Sequence, residues 1–76
     1  MNNKNIEKIN SLIPVLEMFQ CAVEKILMEE QAAFDKLSEA YQNSERGEER
    51  QEKLDVLQAI SDNLEEAVGN CYAFTE

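Results

Sequence analysis

The sequence predicts an all-α fold, an antiparallel helical hairpin of two main helices that completes a bundle by dimerisation. Two long segments carry apolar residues at three-and-four spacing, which is typical of one helix face. A polar stretch separates them, and no segment combines alternating hydrophobicity with strand-forming residues. The 76 residues are expected to form one domain, whose small core supplies little net stability by itself. Association with another chain is therefore the expected source of further stability.

The first helix is predicted over about residues 11–38, with Ser11 as its N-cap and Pro14 in its first turn. The alternative is a longer helix from about Lys4, kinked at Pro14. We expect the first arrangement, with residues 4–10 as a short irregular or helical lead-in. Apolar residues form two neighbouring stripes, at 6, 9, 13, 16, 23, 27, 34 and 37 and at 12, 15, 19, 22 and 26. This face is wider than one helix covers, which favours a homodimer making a four-helix bundle.

The turn is predicted at residues 39–44 and the second helix at about residues 45–69. Ser44 is the expected N-cap, and Arg46 is expected to pair with Asp35 across the turn. The apolar face of this helix consists of Leu54, Leu57, Ile60, Leu64 and Val68, widened by Val56 and Ala67. Gly69-Asn70 is the expected stop, which leaves residues 70–76 as a tail.

Two registers compete for the hairpin. A turn centred near residue 40 places Leu57 by Val23 and Leu64 by Leu16, whereas a turn centred near residue 47 places Leu57 by Leu37. The first register pairs the most apolar parts of both helices, and apolar burial at roughly 25 cal/mol per Å² decides between otherwise similar pairings. We therefore expect the register centred near residue 40.

The segment around the turn resembles a family of small phage and prophage helical-hairpin proteins. The residues that carry the resemblance are Phe34-Asp35, Leu37, Glu39, Gln42 and Ser44-Glu45-Arg46-Gly47-Glu48, with the Leu-Glu-Glu-Ala run at 64–67. The family form reads Phe/Tyr-Asp-Asn-Leu-Pro-Glu-x-Leu-Gln-x-Ser-Glu-Arg-Gly-Glu, and this chain departs from it at Lys36, Ser38 and Tyr41. The resemblance implies a phage-encoded protein of the host cytoplasm, and the family proline at the position of Ser38 implies that the first helix ends there. It implies no particular biochemical activity.

Two cysteines and no histidine leave no zinc-binding pattern, and we expect Cys21 and Cys71 to be reduced, buried apolar residues. The apolar run from Leu12 to Met28 is interrupted by charged residues, which argues against a signal peptide, a membrane span and a membrane partner. These features favour a cytoplasmic protein without a metal or other cofactor.

The formal net charge of −9 argues against direct nucleic-acid binding, which needs clustered lysine and arginine. Most of the negative charge lies on the second helix, in a row that we call the acidic stripe: Glu45, Glu48, Glu52, Asp55, Asp62 and Glu66. One reading is an ordinary solvated face. The functional reading is a protein-binding surface, in one version a nucleic-acid mimic that occupies the basic groove of another protein.

We expect no catalytic activity, because the chain offers no nucleophile and base pair, no phosphate-binding glycine loop and no metal ligands at suitable spacing. The sequence instead favours a small acidic accessory protein that binds a host or phage protein, for example as an inhibitor of a host or defence factor. The alternative is a structural or chaperone-like hairpin that shields an apolar helix of a partner.

Overall fold

The computed structural model describes residues 2–76, which form three helices and no strand: α1 (Asn3–Asp35), α2 (Glu39–Gln42) and α3 (Glu45–Thr75). The prediction of an all-α fold is confirmed. Helix α1 begins after Asn2, whose side-chain oxygen accepts a hydrogen bond from the Lys4 amide at 2.8 Å. This N-cap satisfies one of the first-turn donors that have no partner within the helix.

The predicted start of the first helix near Ser11 is wrong. Ser11 lies inside α1, where its hydroxyl donates to the Lys8 carbonyl at 2.8 Å, and the helix continues through Pro14. A proline inside a helix costs roughly 3 kcal/mol. The partial burial of Ile6 and Ile9, on the N-terminal side of the proline, offsets part of this cost and keeps the lead-in helical.

The first helix ends slightly before the predicted residue 38, since α1 ends at Asp35 with Lys36 as its C-cap. Ser38 instead caps α2, and its hydroxyl accepts a hydrogen bond from the Tyr41 amide at 3.2 Å. A serine side chain that binds a nearby backbone amide competes with the helical hydrogen-bond pattern. The predicted turn at 39–44 is therefore mostly a short helix.

Helix α3 begins where the sequence predicts, with Ser44 as the N-cap, accepting from the Gly47 amide at 3.2 Å. Its predicted end at Gly69 is wrong, because the helix continues to Thr75 through most of the predicted tail at 70–76. Gly69 does not adopt the positive φ of a helix-ending glycine. The half-buried Cys71 and Thr75 extend the packed side of α3 beyond this point.

Helices α1 and α3 lie side by side and run in opposite directions. The Arg50 guanidinium is 3.9 Å from the Glu30 carboxylate, and Ile26 shares a shallow cleft with Leu54 and Leu57. These contacts belong to the register centred near residue 40, and they place Leu57 far from the end of α1. The resulting helix pair is elongated, measuring 57 × 16 × 13 Å.

Side chains between the two helices follow a seven-residue repeat on each helix, and we call these positions the seam. The seam consists of Ile6, Ile9, Ile13, Leu16, Gln20, Val23, Leu27 and Phe34 on α1 and Gly47, Arg50, Leu54, Leu57, Ser61, Leu64, Val68, Cys71 and Thr75 on α3. This spacing is that of the a and d positions of a coiled coil. Only Ile13, Phe34 and Leu54 are buried hydrophobic residues, and the middle of the seam holds the polar Gln20 and Ser61. The seam is therefore weakest at its middle.

The end of the pair that carries the turn is tightly connected. The side-chain amide of Gln42 donates hydrogen bonds to the backbone carbonyls of Phe34 at 3.1 Å and Leu37 at 3.0 Å. These bonds tie α2 to the end of α1. A Cβ added at Gly47 would lie 2.7 Å from the Gln42 carbonyl carbon and closer still to the carbonyl oxygens of Tyr41 and Gln42. Glycine at position 47 is therefore required for the close approach of α2 and α3.

The predicted ion pair between Asp35 and Arg46 does not form. Asp35 accepts a hydrogen bond from the Gln31 amide at 2.9 Å on its own helix, whereas Arg46 lines a cleft with Tyr41, Glu49 and other residues of α3. The motif around the turn is explained instead by its caps, by Gln42 and by Gly47.

Candidate protein-binding surfaces

All six residues of the acidic stripe are exposed. None of them occupies a seam position: Glu48, Asp55 and Asp62 each lie one residue after one, and the other three lie two residues from the nearest one. The stripe therefore runs along the lateral and outer surface of α3. Their polar contacts within the chain are weak: Gln51 donates to Asp55 and Gln58 to Asp62, each at 3.0 Å on the surface. In residues 2–76 the one salt bridge joins Arg50 and Glu30, so no acid of the stripe is paired with a base there. The stripe is a solvent-facing row of negative charge.

A second surface is apolar, and we call it the apolar face. It consists of Leu12, Val15, Phe19, Ile26, Val56, Ile60 and Phe74. Each of these side chains is 38 to 60% exposed, and each lies one residue before a seam position. One residue corresponds to a rotation of about 100° around a helix axis. In two antiparallel helices, this rotation away from the shared seam turns both sets of side chains to the same side.

The cleft near the turn confirms that α1 and α3 contribute to one face. Ile26 and Lys53 both lie one residue before a seam position, and both line this cleft. The stripe on α1 that the sequence indicates is thus extended by residues of α3. The sequence predicts Ile60 on the packed side of the second helix, but Ile60 is exposed and its neighbour Ser61 is buried. Which of these two residues is buried depends on how α3 is rotated about its axis relative to α1. The local pattern of α3 does not reveal that rotation.

Cationic side chains border the apolar face at the turn end. Arg46, Arg50 and Lys53 line a cleft there with Tyr41 and Glu49. Glu49 and the Glu30 partner of Arg50 neutralise part of this charge. The face is thus basic near the turn and apolar through its middle.

The opposite side of the pair is polar. Glu17, Glu24, Gln58, Glu65 and Tyr72 are exposed there. The Tyr72 hydroxyl donates to the Glu17 carboxylate at 3.3 Å. The negative charge of Glu17 beside the hydroxyl is the main cause that raises the pKa of Tyr72 above its usual 10.0. This side is therefore more polar than the apolar face, although the exposed Met28 and Cys21 also lie one residue after a seam position.

Among residues 2–76, no three side chains of the metal-binding types lie together, and no helix is both long and apolar enough to cross a membrane. Neither cysteine forms a disulfide, and Cys21 is exposed rather than buried as expected, whereas Cys71 is half-buried. The acidic stripe and the apolar face are the two distinctive surfaces.

Comparison of the chain with protein-family models, with curated proteins and with solved structures finds no match.

Proposed function

We propose that this protein is a small accessory protein, phage-encoded and acting in the host cytoplasm, that works by binding another protein rather than by catalysis. Its two long helices then form a hairpin that is completed as a bundle by association. The observation that carries the proposal is the apolar face. Seven large apolar side chains stand exposed on one side, whereas three hydrophobic residues are buried. A chain that exposes more large apolar residues than it buries is suited to covering that face with a partner.

The acidic stripe supports a second binding surface, with a basic partner. Its six carboxylates are exposed on α3, and none is paired with a base in residues 2–76. Successive members one turn apart stand about 5 Å from each other, close to the spacing of phosphates along a nucleic-acid strand. A row of charges at this spacing favours a nucleic-acid mimic over a contact made by a single charge. Such a mimic would inhibit a host or defence factor.

A structural or chaperone-like role is the alternative, and the apolar face supports it too. In that case the occupant of the face is an apolar helix of another protein, which this chain shields from water. The two roles differ in their response to salt, because exposed charge pairs are screened within about 10 Å at 0.1 M salt whereas apolar contacts are not.

Affinity capture from host lysate at low and high salt tests the proposal with three matched baits. These are the wild type, the triple variant Glu48→Lys with Glu52→Lys and Asp55→Lys, and the double variant Val15→Gln with Val56→Gln. All five positions are exposed and lie outside the seam, so helicity should change little.

A basic partner released by salt and lost with the triple variant supports the acidic stripe. A partner retained in salt and lost with the double variant supports the apolar face. Partners that all three baits capture equally would contradict both surfaces.

A further inference from the structure

We infer that the occupant of the apolar face is a second copy of this chain, packed with its turn at the opposite end, so that α1 lies antiparallel on α1 and α3 on α3. This deepens the proposed function, because it assigns the apolar face to self-association and leaves the acidic stripe as the surface for a different partner.

The size of the face fits a dimer of this kind. The helix pair is 57 Å long and 16 Å wide, so the projected area of one whole side is on the order of 900 Å², which is large enough to hold the roughly 800 Å² that each partner buries in a standard interface. A second copy has the same length and covers the whole face. A single short helix from another protein would leave much of it exposed.

The position of the apolar residues fits a twofold axis through the middle of the pair. Helix α1 runs from Asn3 to Asp35 and is centred on Phe19, and α3 runs from Glu45 to Thr75 and is centred on Ile60. Both central residues belong to the apolar face. In an interface built on twofold symmetry, the same patch meets itself, so a patch centred on the molecule is self-complementary.

The axis has two allowed directions in the plane of the face, and they predict different neighbours. An axis across the helices places Phe19 beside Phe19 of the second copy and Leu12 beside its Ile26. An axis along the helices keeps the two turns together and places Phe19 beside Ile60 of the second copy.

Charge decides between these directions. With the turns together, Arg46, Arg50 and Lys53 of both copies gather at one end, where Glu49 and Glu30 offset only part of the repulsion between like charges. With the turns at opposite ends, Arg46 lies beside Phe74 of the second copy. Phe74 is 38% exposed, and its ring can accept a cation on its face. The arrangement with the axis across the helices is therefore favoured.

The weak middle of the seam agrees with this assignment. Gln20 and Ser61 both occupy seam positions near the centres of their helices, where apolar packing within one chain is poorest. Phe19 and Ile60 stand next to them on the outside. Pairing of two copies would bury large apolar residues at the centre of the helix pair, where a single copy buries few.

Cysteine crosslinking of the full chain tests the inference. In a background with Cys21→Ser and Cys71→Ser, oxidised Phe19→Cys should form a covalent dimer in high yield. Asp62→Cys, on the acidic stripe, should form no covalent dimer under the same conditions and serves as the matched control. The unmodified chain should sediment at twice its 8.7 kDa mass, and its melting temperature should rise with concentration.

Three results would overturn the inference. The first is a monomer at micromolar concentration with a cooperative melt. The second is crosslinking of Asp62→Cys as efficiently as Phe19→Cys. The third is a covalent dimer from a mixture of Phe19→Cys and Ile60→Cys chains without one from Phe19→Cys alone, which would show the parallel arrangement. A monomer whose apolar face still captures a partner would overturn self-association and leave the proposed function intact.

Discussion

The turn end and the middle of the helix pair share the same seven-residue repeat, yet different kinds of residue occupy its positions in the two regions. Near the turn, Phe34 and Leu54 are buried, Gly47 allows close backbone contact, and Gln42 binds two carbonyls. In the middle the seam is polar and the large apolar residues stand outside it. The turn end therefore defines the register of α1 on α3, whereas the middle leaves large apolar side chains exposed.

The largest effect should come from breaking the close approach at the turn end. Gly47→Ala places a methyl group against the backbone of Tyr41 and Gln42, which must shift. We expect a loss of about 2 to 3 kcal/mol of unfolding free energy, as for other overpacked sites. At this chain length that loss corresponds to a fall in melting temperature of roughly 10 to 20 °C, measured by circular dichroism at fixed protein concentration.

Gly69→Ala is the matched control for this substitution. No atom outside its own helix backbone lies within 4 Å of a Cβ at this position. Alanine inside a helix is more favourable than glycine by roughly 0.5 to 1 kcal/mol, so this variant should be more stable. Equal destabilisation by both variants would contradict the close approach of α2 and α3.

A smaller loss is expected from removing the Gln42 side chain. Gln42→Ala deletes the two hydrogen bonds to the carbonyls of Phe34 and Leu37. Each bond contributes about 1 kcal/mol, so urea unfolding should show a loss of about 1 to 2 kcal/mol. Gln58→Ala, whose amide contacts only the surface carboxylate of Asp62, should change stability by less than about 0.5 kcal/mol. A Gln42 effect no larger than that of Gln58 would show that the turn end is held by packing alone.

In the middle of the pair, replacing a polar seam residue with an apolar one should increase the free energy of unfolding. Gln20→Leu replaces a half-buried polar side chain in the seam with an apolar one of similar volume, and it gives up only a surface hydrogen bond to Glu24. We expect a gain of about 1 kcal/mol in unfolding free energy. Met18→Leu, at a highly exposed position on the same helix, should have almost no effect. If Gln20→Leu were destabilising, the polar middle would be a stabilising layer.

The smallest expected effect concerns the polar side and depends on pH. Glu17 raises the pKa of Tyr72 in the folded chain, so folding favours the neutral phenol. This contribution is fully present below pH 10, and it is lost as the pH rises through the folded pKa of Tyr72. Stability above pH 10 should therefore fall slightly more for the wild type than for Tyr72→Phe. In a Tyr41→Phe background, an absorbance titration of Glu17→Gln should show Tyr72 ionising at lower pH, and an unchanged titration would contradict the contact.

Much of this protein follows from its sequence, because helix periodicity and capping are local. The two long helices, the Ser44 cap, the wide apolar face of α1 and the exposed acidic stripe all depend on residues within one or two turns of each other. The register also follows, because it needs only a comparison of which parts of each helix are the most apolar.

The tertiary structure decided three features that local sequence leaves open. Helix α1 passes through Pro14 and α3 passes through Gly69, because partial burial along the seam outweighs local helix-breaking tendencies. The seam takes Ser61 and leaves Ile60 outside, because two adjacent stripes on one helix differ by only about 100° and packing selects between them. The need for glycine at position 47 arises from the backbone of α2, which approaches α3 only in the folded chain.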